Sequence, residues 1–284
     1  MAQQQSIISD PNFEIITTMC YFLTLPANAN PSAISNTSTS STPEIDRCYL
    51  LSFGLNRLRA AASAFSWPAA LATLNAPNRL ATLAREISDH VSITHGKGLD
   101  PTQRFIVRVA VRHGGEMSIL SGPRPTAATI YFPTILPPPH KMADSNIPKV
   151  SLRMDPGWVQ KSPLTTYKTT YREEYNKARQ RVGVLETAGF ADGEVLLTNE
   201  EEEVMGGCFS TVYFHREGRW VTPRAESGCK VGVSRRWAVE CAGVEESMIQ
   251  KEEVREGEVV WLSSAVGGFC WGVVTEGIKA GEKG

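Results

Sequence analysis

Three consecutive prolines, Pro137, Pro138 and Pro139, stand near the middle of a chain of 284 residues. Proline has a fixed φ and no amide hydrogen, so this stretch is barred from a helix interior or a central strand. The chain must therefore build its regular structure on either side of the break. With 42% apolar residues it has material for a sizeable core. The expected division is an N-terminal α/β domain over 1–135, a proline-rich linker over 136–148 and a C-terminal α/β domain over 149–284.

In the first part, the apolar and β-branched run over 13–25 predicts a strand, and the Ser/Thr/Asn/Pro-rich stretch 28–42 predicts a mobile surface insertion. Leu51, Leu55, Leu58, Ala62 and Phe65 recur at helical spacing and predict a helix over 49–64; a second helical pattern runs over 76–91, opening after Pro77. The segment 104–111 alternates apolar and basic residues and ends at Gly114-Gly115, which predicts a hairpin with 116–120.

The second part predicts a strand over 150–154, a helix over 171–181 closed by Gly183, and a strand over 194–198. A hairpin is expected from 208–214 and 219–222 around Glu217-Gly218, then a helix over 235–242 opened by Ser234 and closed by Gly243. The fold class is α/β, with the strand and helix mixture of an α+β protein.

Composition narrows the partners. Twenty-nine basic against thirty acidic residues give a net charge of −1, which favours a small-molecule ligand over nucleic acid or a membrane. The six cysteines are dispersed, with no metal-ligand spacing, and are expected as free thiols with no metal site. No stretch reads as a secretory signal or a bilayer span, so a cytoplasmic location is expected. None of the five histidines sits in a catalytic motif, and the run Glu200 to Glu203 reads as a solvated loop.

One pairing suggests chemistry. Lys168 lies in YKTTYR, where a strand-like run meets a helical one, and Val233 and Ser234 lie in VGVSRR, a helix start. A lysine whose ammonium form is disfavoured by burial attacks a carbonyl, and free amides at a helix start bind phosphate. Together they suggest pyridoxal 5′-phosphate, an aldehyde that carries a phosphate. Each also has a plainer reading: Lys168 as a solvated lysine and Ser234 as an N-cap. Arg57 could add a guanidinium to the phosphate or lie on a helix surface. Arg172, four residues after Lys168, should face the same side of the helix and either meet a substrate carboxylate or form a surface ion pair.

These segments resemble, in order, the fold-type IV pyridoxal-phosphate enzymes, the superfamily of branched-chain and D-amino-acid aminotransferases and 4-amino-4-deoxychorismate lyase. NRLRAAASAFSWP is similar to the family's early helix, with Arg57 on its phosphate-binding arginine, and YKTTYREEYNKAR to its lysine segment, with Lys168 on the Schiff-base lysine. GEVLLTN, CFSTVYFHREGRWVTPRAESG, KVGVSRRWAVE and VVWLSSAVGGF follow, so that Val233, Ser234 and Ala265 fall on cofactor-binding positions. Thr17 and Thr18 resemble a Thr-Thr pair near the lyase site, and would equally suit a buried strand. The forms KTT-x-R, GRWVTP and SRRWA are most similar to the fungal aminodeoxychorismate-lyase-like branch.

The resemblance implies two domains with the cofactor in the cleft between them, and a homodimer. It also implies a lyase that releases pyruvate to leave 4-aminobenzoate, a folate precursor, with an aminotransferase or an inactive cofactor-binding homologue as the alternatives. Three positions depart from the pattern. Gly206 stands where the family has the glutamate that holds the pyridine nitrogen protonated, Gly267 where the branch has an arginine, and Gly54 where a histidine is usual.

Overall fold

A computed structural model describes residues 2–24, 43–96, 98–124, 133, 135–141, 149–185 and 189–275. The expected insertion at 28–42 and the 142–148 part of the linker lie outside the described residues.

The N-terminal part holds an antiparallel sheet of β1 (Ile15–Phe22), β2 (Arg104–Val111) and β3 (Met117–Arg124), in the order β1-β2-β3. Alternation decides its faces: Phe105, Val107 and Val109 are buried, while Ile106 between them is exposed. The helices Leu51–Ala64 and Arg79–His95 share a core with this sheet through Leu55, Leu58, Leu83 and Ile87. The second helix begins later than its pattern suggests, because Pro77 precedes an Asn78 in the left-handed region. A short helix that the pattern did not suggest, Pro68–Leu74, fills the gap, with proline at a position whose amide would lack a partner anyway.

The C-terminal part is one eight-stranded mixed sheet. Its strands are β4 (Lys149–Met154), β5 (Glu194–Thr198), β6 (Val204–Gly207), β7 (Thr211–Arg216), β8 (Arg219–Pro223), β9 (Glu245–Ser247), β10 (Val259–Ser264) and β11 (Gly268–Thr275). The order is β6-β5-β4-β11-β10-β7-β8-β9, with β4 parallel to both neighbours. The expected β7–β8 hairpin turns on Glu217 and Gly218, both at positive φ, the geometry that matches strand twist. Trp261 and Trp271 stack at 4.4 Å between centroids where β10 meets β11.

The two parts share a core. Cys20 and Phe22 of β1 and Phe53 of the first long helix pack with Tyr213, Trp237, Trp261 and Phe269. The proline segment is pinned across this core, since the Trp220 indole donates to the Leu136 carbonyl at 3.0 Å and the Trp261 indole to that of Pro137 at 3.2 Å.

All six cysteines are free thiols. Among the described residues no helix is long and apolar enough to cross a membrane. The glutamate run is not wholly solvated. Glu203 is buried, ion-paired with Arg224 at 2.6 Å and bonded by the Asn199 side chain.

Candidate active site

A cleft forms where β1, the lysine segment, the turn after β6, the 230–234 segment and the β10–β11 turn converge. Its lining includes Thr18, Arg57, Lys168, Phe209, Ser210, Lys230, Val233, Ser234 and Ala265. Six of the eight residues singled out by sequence are therefore neighbours: Lys168, Arg57, Val233, Ser234, Ala265 and Thr18. Larger hollows lie elsewhere, as between Asp10, Trp67 and Arg112, but they hold neither Lys168 nor Arg57.

β1 organises the cleft. The Ile16 amide donates to the Lys168 carbonyl at 2.9 Å and the Thr170 amide to the Glu14 carbonyl at 3.0 Å, so the lysine segment meets the start of β1 in an isolated antiparallel bridge between Ile15 and Thr169. Further along β1, the Cys20 amide donates to the Ala265 carbonyl at 3.0 Å, which docks the β10–β11 turn. Threonines on β-branched backbone suit this pairing, and they keep Lys168 off the helix.

That placement corrects two expectations. The helix begins at Glu173, with Arg172 as its N-cap, so Lys168 and Arg172 do not share a helix face. Arg172 does not line the cleft; it stands behind Phe209, stacked on the Phe209 and Tyr175 rings and donating to the Cys208 carbonyl at 3.3 Å. The other helix starts two residues earlier than expected, at Val233, with Gly232 as N-cap. Ser234 thus lies inside the first turn, where its hydroxyl accepts a hydrogen bond from Ser263 at 2.9 Å.

Thr17 and Thr18 project from opposite faces of β1. Thr18 accepts a hydrogen bond from Lys168 Nζ at 2.8 Å. Thr17 is fully buried outside the cleft and accepts from Arg57 Nη2 at 2.7 Å, so it positions the arginine. A side chain at Gly54 would approach the Thr17 hydroxyl to 3.0 Å, which explains why a small residue suits that position here.

The electrostatics are those of a crowded cationic cleft. Burial, reinforced by Arg57, Lys230, Arg172 and Arg108, holds the Lys168 amine well below the usual lysine range. A neutral amine is the form that attacks a carbonyl. Burial also lowers Arg57 to about 10, and its Nε has no hydrogen-bond partner. A buried guanidinium with an unspent donor, beside the first amides of the Val233–Cys241 helix, suits an anion such as phosphate. The charges and donors therefore fit pyridoxal phosphate, although the cleft itself is narrow. It encloses ≈ 40 Å³, against roughly 300 Å³ or more for a typical ligand site, so Lys168 or Phe209 must shift to admit a ring.

Two site residues were missed by sequence reasoning. Lys230 donates from Nζ to the Cys208 carbonyl at 3.3 Å and lies 4.2 Å from the Tyr175 ring centroid. Burial and Arg172 lower it to about 8. Glu194, fully buried under the cleft floor, accepts from the Phe209 and Ser210 amides at 3.1 and 2.8 Å and from the Ser210 hydroxyl at 2.6 Å. Gly206 lies on the neighbouring strand at φ +117°, a conformation that strains any L side chain, so a glutamate restored there would disturb the backbone as well as the chemistry.

The pattern of the family described as amino-transferase class IV matches residues 44–273. The chain belongs to that family. Members of the class IV aminotransferase family are pyridoxal-phosphate enzymes. The chain is 30% identical over 127 residues to a candidate aminodeoxychorismate lyase of Schizosaccharomyces pombe, covering 43% of this chain and 53% of the relative. It is 26% identical over 204 residues to the aminodeoxychorismate lyase of Saccharomyces cerevisiae, covering 63% and 54%. The chain thus spans about half the length of the curated relatives it matches. The fold is shared with a candidate amino-acid aminotransferase from Mesorhizobium loti, which superposes with a TM-score of 0.61 at 19% identity, over 93% of this chain and all of that one.

Proposed function

We propose that this chain is a pyridoxal-phosphate-dependent lyase that converts 4-amino-4-deoxychorismate to 4-aminobenzoate and pyruvate, working as a homodimer. The carrying observation is Lys168, buried so that its ammonium form is disfavoured, in a cleft that also presents Arg57 and a helix start. Both curated relatives bear the lyase name, which supports the reaction.

Arg57, held by Thr17, and the amides of Val233 and Ser234 would seat the phosphate, with Ala265 beside them. Lys168 would link to the aldehyde. When bound, the cofactor supplies an electron sink for the bonds broken at the substrate's amino-bearing carbon. Lys168 would take the ring proton on Nζ and deliver it to the leaving pyruvyl fragment, with the Thr18 hydroxyl, which accepts from Nζ, holding it in place. Gly206 supplies no carboxylate to a ring nitrogen, which weakens aminotransfer more than an elimination driven by formation of an aromatic ring.

The test is the visible spectrum of protein incubated with pyridoxal phosphate, wild type against Lys168→Ala, before and after borohydride, followed by assay of pyruvate release. A Lys168-dependent band that borohydride fixes covalently, with pyruvate formed without a keto-acid acceptor, is the expected result. Turnover only with a keto acid would make the chain an aminotransferase. Absence of the band would remove the cofactor assignment.

A further inference from the structure

The cleft gathers more positive charge than a single phosphate requires. Arg57 and Lys230 line it beside Lys168, whose ammonium form burial disfavours, and Arg172 stands directly behind. Among the described residues, none of these four makes an ion pair with a carboxylate. The carboxylate nearest in effect, Glu194, is already engaged by three backbone amides and the Ser210 hydroxyl. Buried like charges repel unless a counter-charge joins them, so the arrangement is built for a ligand with more than one anionic group.

Arg57 accounts for one such group. Lys230 lies in a different setting, against the Tyr175 ring and at the Cys208 carbonyl, where Arg172 also donates. An ammonium carries three donors, and among the described residues the Cys208 carbonyl takes one. Two remain for a ligand. The ring and the carbonyl fix the direction of Nζ, and Arg172 keeps the local potential positive.

We propose that Lys230 is a substrate-binding residue, seating a carboxylate of the substrate separately from the Arg57 phosphate seat, with Arg172 positioned behind it. The proposal rests on the cofactor reading, and on a substrate that carries a carboxylate besides its amine. It assigns to Lys230 the cationic role left open by Gly267.

The probe is chorismate, which carries the two carboxylates of the proposed substrate but a hydroxyl in place of its amine, and so cannot link to the cofactor. It is titrated into pyridoxal-phosphate-loaded wild type, Lys230→Met and Lys230→Arg at fixed ionic strength, following the visible band. The cofactor's own dissociation constant is measured for each protein. The expected result is a tenfold or greater loss of chorismate affinity in Lys230→Met, near-wild-type affinity in Lys230→Arg and unchanged cofactor affinity, with KM rising more than kcat falls on any substrate the wild type turns over.

Chorismate affinity within twofold of wild type in Lys230→Met would overturn the proposal, as would no chorismate binding to wild type. A parallel loss of cofactor affinity would assign Lys230 to the phosphate instead. Covalent cofactor mapped to Lys230 after borohydride would make it a second carbonyl nucleophile, also against the proposal. Pyruvate release separates the two readings. If chorismate binding depends on Lys230 but no pyruvate forms, the lyase reaction fails and the carboxylate seat stands.

Discussion

Glu194 illustrates how one buried side chain can shape a cleft without lining it. Its carboxylate gathers the amides of Val195, Phe209 and Ser210 and the Ser210 hydroxyl, and so fixes the turn that carries Phe209 to Thr211 into the site. A side chain at Gly207 would come within 2.6 Å of that carboxylate, so the close approach also requires glycine there. Truncation would leave several buried donors without an acceptor. Glu194→Ala is expected to lower unfolding free energy by about 3 kcal/mol, read from urea denaturation, and to weaken pyridoxal phosphate binding as the turn relaxes. Unchanged stability would mean that the turn holds itself. Neither Glu194 nor Lys230 stands out in sequence, because a lone acid before a strand or a lone lysine before Gly-x-Ser has no periodicity to mark it. Their roles arise from β5, the 208–211 turn and the 230–234 segment meeting in space. Lys168 and Arg57 were legible only because their surrounding segments resemble a family in order.

Elements whose patterns are local were read well, and those set by tertiary contacts were not. β2 alternates from Phe105 to Val109 and emerged at the expected residues. The lysine segment has the β-branched content of a strand, yet its pairing with β1 is a contact across some 150 positions, so the helix was placed too early. The helix at Val233 was misjudged by two residues because Ser234 is a good N-cap type, whereas its hydroxyl is committed to Ser263. The β7–β8 turn was legible from Glu-Gly, and it also offers a stabilising change. Glu217 adopts φ +50°, where asparagine is favoured over glutamate, and its contact with Arg219 is an exposed pair of little worth. Glu217→Asn should raise stability by about 0.5 kcal/mol, seen as a higher urea midpoint at an unchanged slope. A lower midpoint would show that the Arg219 contact outweighs the backbone preference.

At the scale of the whole molecule, the cationic cleft sets stability against function. Burial holds Lys230 near 8 in the folded protein and keeps Lys168 well below the usual lysine range, while both return toward the ordinary lysine value of 10.5 on unfolding. Between those values the unfolded chain binds protons that the folded chain has released. Folded stability contributed by these groups is therefore greatest above the unfolded value and is lost as pH falls from there toward their lowered folded values. Buried thiols act in the opposite sense, since burial pushes Cys20 up to about 11 and Cys270 to about 12, so the absolute pH profile mixes both effects. A comparison isolates the lysines. The cofactor-free wild type should lose stability relative to the Lys168→Met/Lys230→Met double variant as pH is lowered from 10 to 7.5, measured as the difference between their Tm values. Pyridoxal phosphate added to the wild type should shrink that difference, because its phosphate supplies the missing counter-charge and its aldehyde consumes the amine whose protonation is disfavoured. A Tm difference independent of pH would mean that the two ammonium groups are solvated in the folded protein, and the electrostatic basis of the proposed site would fail with them.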